Sequence, residues 1–207
     1  MADEALNPLR FYGDLAIAAF FAGSNDRQRK IQLDELAEQL SAYLHNPHKI
    51  ELREPLNEAR RTLLEGGNAV HPFHWEIEFP ELFDRANPGF DAFVGNPPFI
   101  RGKAIGVTFG NSYRDYLVST NECANASADI VAFFFRRSFS MLRQQGTFGL
   151  IATKTISKGD TRLAGLRYIC THDGTIFSAL KRLQWPGDAA VIVSTVHVIR
   201  GFYDSPI

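Results

Sequence analysis

Hydrophobic residues recur at helical spacing in the first part of the chain. This pattern predicts helices at Leu15–Phe21, at Asp26–Leu44 and at residues 51–65. Pro47 predicts the end of the second helix, because proline cannot continue the backbone hydrogen bonding. We therefore predict a helical arm or connector over residues 1–85, to which we assign no chemistry.

From Phe90 onward the pattern changes to alternating strands and helices. Strands are predicted at Phe90–Val94, Thr147–Thr153, Thr175–Leu180 and Val191–Ile199, and helices at Asp129–Arg143 and Thr161–Cys170. Such alternation predicts an α/β domain with a mostly parallel sheet over residues 86–207.

The composition, 45% hydrophobic and 22% charged over 207 residues, suffices for one sizeable core. No apolar run approaches the roughly 18 residues of a membrane span, and the N-terminus lacks the features of a signal peptide. Two cysteines, Cys123 and Cys170, without C-x-x-C spacing indicate buried or free thiols in a reducing cytoplasm. Metal-ligand spacing is absent from four of the histidines: His71, His74, His172 and His197.

Charge is distributed unevenly along the chain. Residues 1–99 carry 9 Lys and Arg against 16 Asp and Glu, a net charge of −7, whereas residues 100–207 carry 13 against 7, a net charge of +6. Contacts between such cations and phosphates supply the sequence-independent part of DNA affinity. Solvated surface positions are the ordinary alternative.

Two groups of cations fall near predicted loops. The first is expected in a glycine-containing loop: Arg101, Lys103 and Arg114. The second surrounds a predicted turn at Gly159-Asp160: Lys154, Lys158 and Arg162. DNA contact and a solvated surface both remain open for these two groups. We do not expect DNA contact from the arginines on a predicted helix: Arg136, Arg137 and Arg143.

The tetrapeptide Asn96-Pro97-Pro98-Phe99 directly follows the first predicted strand. Ligands bind at the carboxyl ends of strands in open α/β sheets. The Asn96 side-chain oxygen and the Pro97 carbonyl can accept the two N–H groups of an exocyclic base amine and so orient its lone pair. Pro98 stiffens the turn, and Phe99 offers a surface for a base taken out of the stack. The alternative is an ordinary Asn-Pro turn.

These residues resemble the catalytic tetrapeptide of amino-group DNA methyltransferases. The resemblance extends over residues 70–201 to the large adenine-specific enzymes, including the methylase parts of Type II restriction-modification enzymes. Its other segments are His74–Glu81, Phe90–Arg101, Gly146–Thr155 and Gly159–Arg162. It implies a Rossmann-like sheet, S-adenosylmethionine as methyl donor, DNA as substrate, and transfer to adenine N6.

The resemblance also implies a partial chain. The family's Gly-x-Gly turn for the donor is absent from the sixteen glycines, which indicates an incomplete sheet and an upstream methyltransferase segment or subunit. The family also carries a target-recognition region after the catalytic domain, so the resemblance implies such a region as a further partner. Trp185 resembles an aromatic that stacks on the flipped base opposite Phe99, with a sheet-edge plug as the alternative. Asp129 resembles a small acidic motif, with a helix N-cap as the alternative.

Two functional alternatives remain open. The acceptor could be cytosine N4 or a glutamine amide, because the tetrapeptide geometry suits any planar amine. The chain could also be an inactive remnant or a non-enzymatic DNA-binding or assembly subunit, which the missing glycine turn favours.

Overall fold

The computed structural model describes residues 2–65, 67–185 and 192–203. The chain divides into two compact units, Met1–Pro80 and Glu81–Ile207. The predicted domain boundary at residues 85 and 86 stays a prediction.

Among its described residues, the first unit contains four helices: α1 (Ala2–Ala22), α2 (Asp26–His45), α3 (Ile50–Leu64) and α4 (Trp75–Glu78). Its core is formed by Leu15, Ala19, Leu36 and Leu56. Helix α1 begins well before the predicted Leu15–Phe21. Its early turns are held by polar contacts that no hydrophobic period reveals, including the Arg10–Glu78 ion pair at 2.6 Å.

The second unit contains the remaining elements. These are α5 (Pro80–Phe83, starting at the boundary), β1 (Phe90–Gly95), α6 (Gly102–Phe109), α7 (Asn111–Ser119), α8 (Ile130–Ser140), β2 (Leu142–Thr153), α9 (Gly159–Arg162), α10 (Tyr168–Thr171), β3 (Gly174–Gln184) and β4 (Ile192–Arg200). A 3₁₀ turn at Lys154–Ser157 precedes α9, and a π-helical turn at Leu163–Arg167 joins α9 to α10. Residues 159–171 therefore form one nearly continuous helical segment.

The predicted helix Asp129–Arg143 is too long at its carboxyl end. Helix α8 stops at Ser140, and β2 has already begun at Leu142. Phe90 pairs with Leu142 in the sheet, so strand pairing ends the helix early. Arg143 accordingly lies on a strand.

The four strands are arranged in the order β1-β2-β4-β3. Strand β1 pairs with β2 in parallel, whereas β4 is antiparallel to both β2 and β3. The prediction of a mostly parallel sheet is therefore wrong. Only residues 185–191 connect β3 to β4, and a parallel crossover needs a dozen or more residues. A connection of this length permits antiparallel pairing.

One face of the sheet carries the core of the second unit. Phe148, Leu150, Val196 and Val198 pack there against α8 and the helical segment 159–171. Phe135 of α8 is fully buried and contacts Phe148 edge to face, with ring centroids 5.3 Å apart. The other face is less covered, since Val94 of β1 is 91% exposed.

The strand directions define two edges of the sheet, which we name here. At the carboxyl edge, β1, β2 and β3 end and β4 begins; at the amino edge, these strands start and β4 ends. No helix in the described part of the chain is long and apolar enough to cross a membrane.

Candidate active site

The tetrapeptide lies at the carboxyl edge, directly after Gly95, the last residue of β1. Pro97 is buried, whereas Asn96 and Pro98 are exposed. Phe99 is 40% exposed, so part of its ring faces solvent. The buried proline fixes the turn and leaves an amide and an aromatic ring accessible on either side of it.

Hydrogen bonds tie the segment after the tetrapeptide to two other parts of the second unit. The Ile130 amide donates to the Ile100 carbonyl at 3.0 Å. The Gly102 amide donates to the Asp129 carboxylate at 3.0 Å, and the Asp129 amide donates to the Thr161 hydroxyl at 3.1 Å. The loop after β1, the start of α8 and the segment after β2 therefore form one connected group.

Asp129 occupies the N-cap position of α8, but its side chain makes no capping hydrogen bond to the first turn. The carboxylate instead holds the Gly102 amide, which makes Asp129 a positioning residue for the tetrapeptide loop. Thr161, buried at 5% exposure, completes this link; nothing in its sequence context signals the role.

Gly102 is required by the close approach of two backbones. A Cβ at this position would lie 2.5 Å from the Ser127 carbonyl carbon and oxygen and 2.8 Å from the Ala128 oxygen. Any side chain would therefore push the loop away from Asp129.

The first group of cations lies on helices rather than in the predicted loop. Arg101 is the N-cap residue of α6, Lys103 lies within α6, and Arg114 lies in α7. The glycines in this stretch are typical of a loop. Ile105 is only 1% exposed, however, and its packing against α8 stabilises α6. Arg114 pairs with Asp115 at 3.0 Å, whereas Arg101 and Lys103 are exposed.

The second group follows the end of β2. Lys154 starts the 3₁₀ turn, Lys158 precedes α9 and Arg162 ends it. All three side chains are exposed. In the part of the chain that the structure describes, these three residues, Arg101 and Lys103 form no ion pair. They are left available for an external anion.

Two of the arginines expected not to contact DNA have internal partners. Arg136 is 7% exposed, donates to the carbonyls of Glu122 at 2.5 Å and Ala164 at 3.3 Å, and lies 3.4 Å above the Tyr168 ring. Burial lowers the pKa of its guanidinium. Arg143 pairs with Asp91 at 2.5 Å. Both interactions are structural.

Trp185 follows the last residue of β3 and is partly buried. Strands β1 and β3 both end at the carboxyl edge, but they are the two outer strands of the described sheet. Their ends are three strand spacings apart, about 14 Å. The segments beyond the strands would have to bridge this gap for Trp185 and Phe99 to share one base. Pro186 and Gly187, which follow Trp185 in the predicted motif, lie outside the described residues.

The second unit is an α/β domain with an Asn-Pro-Pro-Phe tetrapeptide at the carboxyl edge of its sheet. The Eco57I restriction-modification methylase family matches residues 19–176, most of the chain. The chain therefore belongs to this family. The predicted resemblance is confirmed at that level.

A solved structure agrees with this assignment. The structure of the Type IIL restriction-modification enzyme MmeI in complex with DNA is similar, with a TM-score of 0.50 and 14% sequence identity. The match covers 75% of this chain and 21% of the MmeI chain, so the match spans about a fifth of that enzyme. Such a likeness shows the fold, and it confirms the predicted α/β methyltransferase sheet with a helical N-terminal region. No protein of curated function matches the chain.

Membership of the family implies a methyl donor, and neither the end of β1 at Gly95 nor the cavity between residues 159–171 and β3 suits S-adenosylmethionine. Gly95, the glycine nearest the tetrapeptide in β1, leaves no backbone cradle, since a Cβ there would make only an ordinary 3.5 Å contact with Leu150. A cavity in the second unit is lined by Arg162, Arg167 and Lys181 without any carboxylate. A cationic sulfonium and ammonium would be repelled there. We therefore assign roles toward the methyl acceptor alone.

Proposed function

We propose that this chain forms the base-binding part of a site-specific DNA adenine-N6 methyltransferase in a restriction-modification or phage-defence system. The observation that carries the proposal is the exposed Asn96 and the partly exposed Phe99 on either side of the buried Pro97. A base that approaches this turn meets two acceptors and one aromatic surface.

Each residue has a distinct role toward a flipped adenine. The Asn96 side-chain oxygen and the Pro97 carbonyl accept the two N–H groups of the amine, which turns its lone pair away from the ring and toward the incoming methyl group. Pro98 holds the turn. Phe99 stacks on the base, and Trp185 covers its other face once the segments beyond β1 and β3 close on the DNA.

The exposed cations contact the phosphates of the DNA backbone in this proposal. Arg101 and Lys103 follow the tetrapeptide, and Lys154 follows β2 at the same carboxyl edge. None of them is neutralised by a carboxylate within the described ranges. Unpaired Lys and Arg beside a base-binding turn are suited to phosphate contacts that set the register of the duplex.

S-adenosylmethionine is the methyl donor in this proposal, and another segment or subunit holds it. The missing Gly-x-Gly turn in the sequence favours a second function, that of a non-enzymatic DNA-binding or assembly subunit. The two functions differ in whether DNA is methylated when the partner is present.

Mass spectrometry of nucleosides tests the proposal directly. DNA from cells that express the chain together with its genomic neighbours should contain N6-methyladenine. The same cells with Asn96→Ala should lose it, because one of the two acceptors for the amine is gone. Asn68→Ala is the matched control, since Asn68 is exposed in the other unit.

The outcomes separate the alternatives. N4-methylcytosine in place of N6-methyladenine would reassign the acceptor base. Unmodified DNA with intact DNA binding would establish the non-enzymatic function. Turnover of Asn96→Ala within about threefold of the parent, an effect below 1 kcal/mol, would remove the assigned role of Asn96.

A further inference from the structure

A cavity of about 380 Å³ lies in the second unit, between the helical segment 159–171 and the strands β3 and β4. It is separate from the tetrapeptide, none of whose residues lines it. Its volume lies within the range of small-ligand sites, about 300–1,000 Å³.

The walls of the cavity are largely apolar. Side chains from the helical segment, the preceding turn and both strands contribute to them: Ile156, Leu166, Ile176 and Val196. Ile176 is 37% exposed, although it is a large hydrophobic residue. A flat apolar group that entered the cavity would cover this surface.

Three cations face the cavity from opposite walls. Arg162 and Arg167 come from the helical segment, and Lys181 comes from β3. The π-helical turn at Leu163–Arg167 separates the two arginines by about one turn and so places them on the same wall. None of the three cations is ion-paired within residues 2–65, 67–185 and 192–203, and no carboxylate lines the cavity. The site therefore has an uncompensated positive charge.

The cavity also offers hydroxyl groups. Ser157, Thr171 and Ser194 line it. Ser194 is 7% exposed. Each hydroxyl oxygen can accept a hydrogen bond from a ligand.

We propose that this cavity binds one nucleotide of a DNA strand, with its phosphate between Arg162, Arg167 and Lys181 and its base against the apolar wall. The site rests on the proposed DNA methyltransferase function and adds a second DNA-binding position to it. Positive charge on two walls matches a phosphate, and apolar walls with hydroxyls match a base ring with polar edges. Arg162 continues the row of unpaired cations from Lys154 and Lys158, so a strand bound at the carboxyl edge leads toward the cavity.

Protection of Cys170 from a maleimide reports occupancy, because this free thiol lines the cavity. The second free thiol, Cys123, is replaced in a Cys123→Ser background. Burial raises the pKa of the Cys170 thiol, so all labelling rates are compared at one fixed pH. A single-stranded oligonucleotide at about ten times its Kd should slow labelling about tenfold.

Two variants and one control locate the effect. Arg167→Ala combined with Lys181→Ala should abolish protection at the same oligonucleotide concentration. Ala179→Trp keeps the charges but fills the cavity at an exposed position, and it should prevent the oligonucleotide from changing the labelling rate. Lys30→Ala removes an exposed positive charge in the other unit and should leave protection unchanged.

The outcomes distinguish a DNA-nucleotide site from a site for another ligand, and failure of this site from failure of the proposed function. Oligonucleotide binding by fluorescence anisotropy without Cys170 protection would overturn this inference and leave the proposed function standing. Absence of both would overturn both. Protection by free deoxyadenosine monophosphate but not by the oligonucleotide would make the cavity a free-nucleotide site, and protection by S-adenosylmethionine would make it a donor site; either result overturns the proposal.

Discussion

The cations at the two edges of the sheet differ in whether they have partners within the protein. At the amino edge, Arg85 and Arg143 both pair with Asp91, and Arg200 donates to the Leu142 carbonyl at 2.5 Å. At the carboxyl edge, Arg101 and Lys154 form no ion pair with any described residue. The same residue types thus stabilise the fold at one edge and remain available to a ligand at the other.

Net charge alone therefore does not indicate which cations can contact DNA; the positions of the carboxylates are also needed. Asp91 pairs with two guanidinium groups at the amino edge and offsets part of their charge. Unpaired cations close together repel one another, a cost that an anionic ligand removes on binding. The carboxyl edge is therefore the side from which we expect DNA to approach.

Removing three cations from the carboxyl edge tests this comparison most strongly. The triple variant Arg101→Ala, Lys103→Ala, Lys154→Ala should lower DNA affinity by roughly two orders of magnitude at low salt. The slope of log affinity against log salt should become shallower by about three. Arg143→Ala at the amino edge is the control and should leave both values unchanged in the same titration. A triple variant with the parental salt slope would show that DNA binds elsewhere.

Truncation of Phe99 should have the next largest effect. Phe99→Ala should weaken the binding of DNA with a flipped adenine by about 1–3 kcal/mol, the contribution of one stacked base. Phe99→Tyr and Phe99→Trp should retain it, because both present a flat ring. Fluorescence of 2-aminopurine at the target position follows the stacking. Equal losses in all three variants would assign Phe99 to packing instead.

Acid should weaken the amino edge by a smaller amount. Hydrogen bonds from Arg143 and then from Arg85 lower the pKa of Asp91 below its ordinary value of 3.8. The stabilisation is therefore complete above the ordinary value and is lost as pH falls through the lowered pKa of the folded state. Urea unfolding below about pH 5 should show a shallower loss of stability with acid in Asp91→Asn than in the parent. Asp34→Asn, which removes an exposed carboxylate of the other unit, is the control for loss of one acidic side chain.

The smallest expected effect is a null result. The chain alone should bind S-adenosylmethionine weakly or not at all, because its sequence contains no Gly-x-Gly turn to bring the backbone close to the donor. Calorimetric titration measures this. Low-micromolar binding at one site per chain would mean that a donor site exists in this chain, and it would remove the need for a second segment.

The local pattern predicted the strands well and the sheet poorly. Phe90–Val94 and Thr147–Thr153 were found inside β1 and β2 because alternation of apolar residues reports which face is buried. Pairing direction depends on long-range contacts, and the short connection between β3 and β4 was the available signal. Similarly, α6 was missed because its stability comes from the burial of Ile105 against distant residues.

The candidate site divides in the same way. The tetrapeptide could be found from sequence because its four residues are consecutive and each has a chemical reason. The link from Gly102 through Asp129 to Thr161 could not, because it joins residues 27 and 32 positions apart. The cavity beside β3 was also missed, since its lining comes from separate segments that meet only in the folded sheet.

The strand order has a consequence for synthesis on the ribosome. Strand β4 lies between β2 and β3 and is made after both. Until residues 192–200 have been synthesised and released from the ribosome, β2 lacks its antiparallel neighbour. Exposed strand edges are templates for aggregation, so β2 is vulnerable during this interval. A pause in translation before β4 would therefore endanger the nascent protein more than a pause before β2.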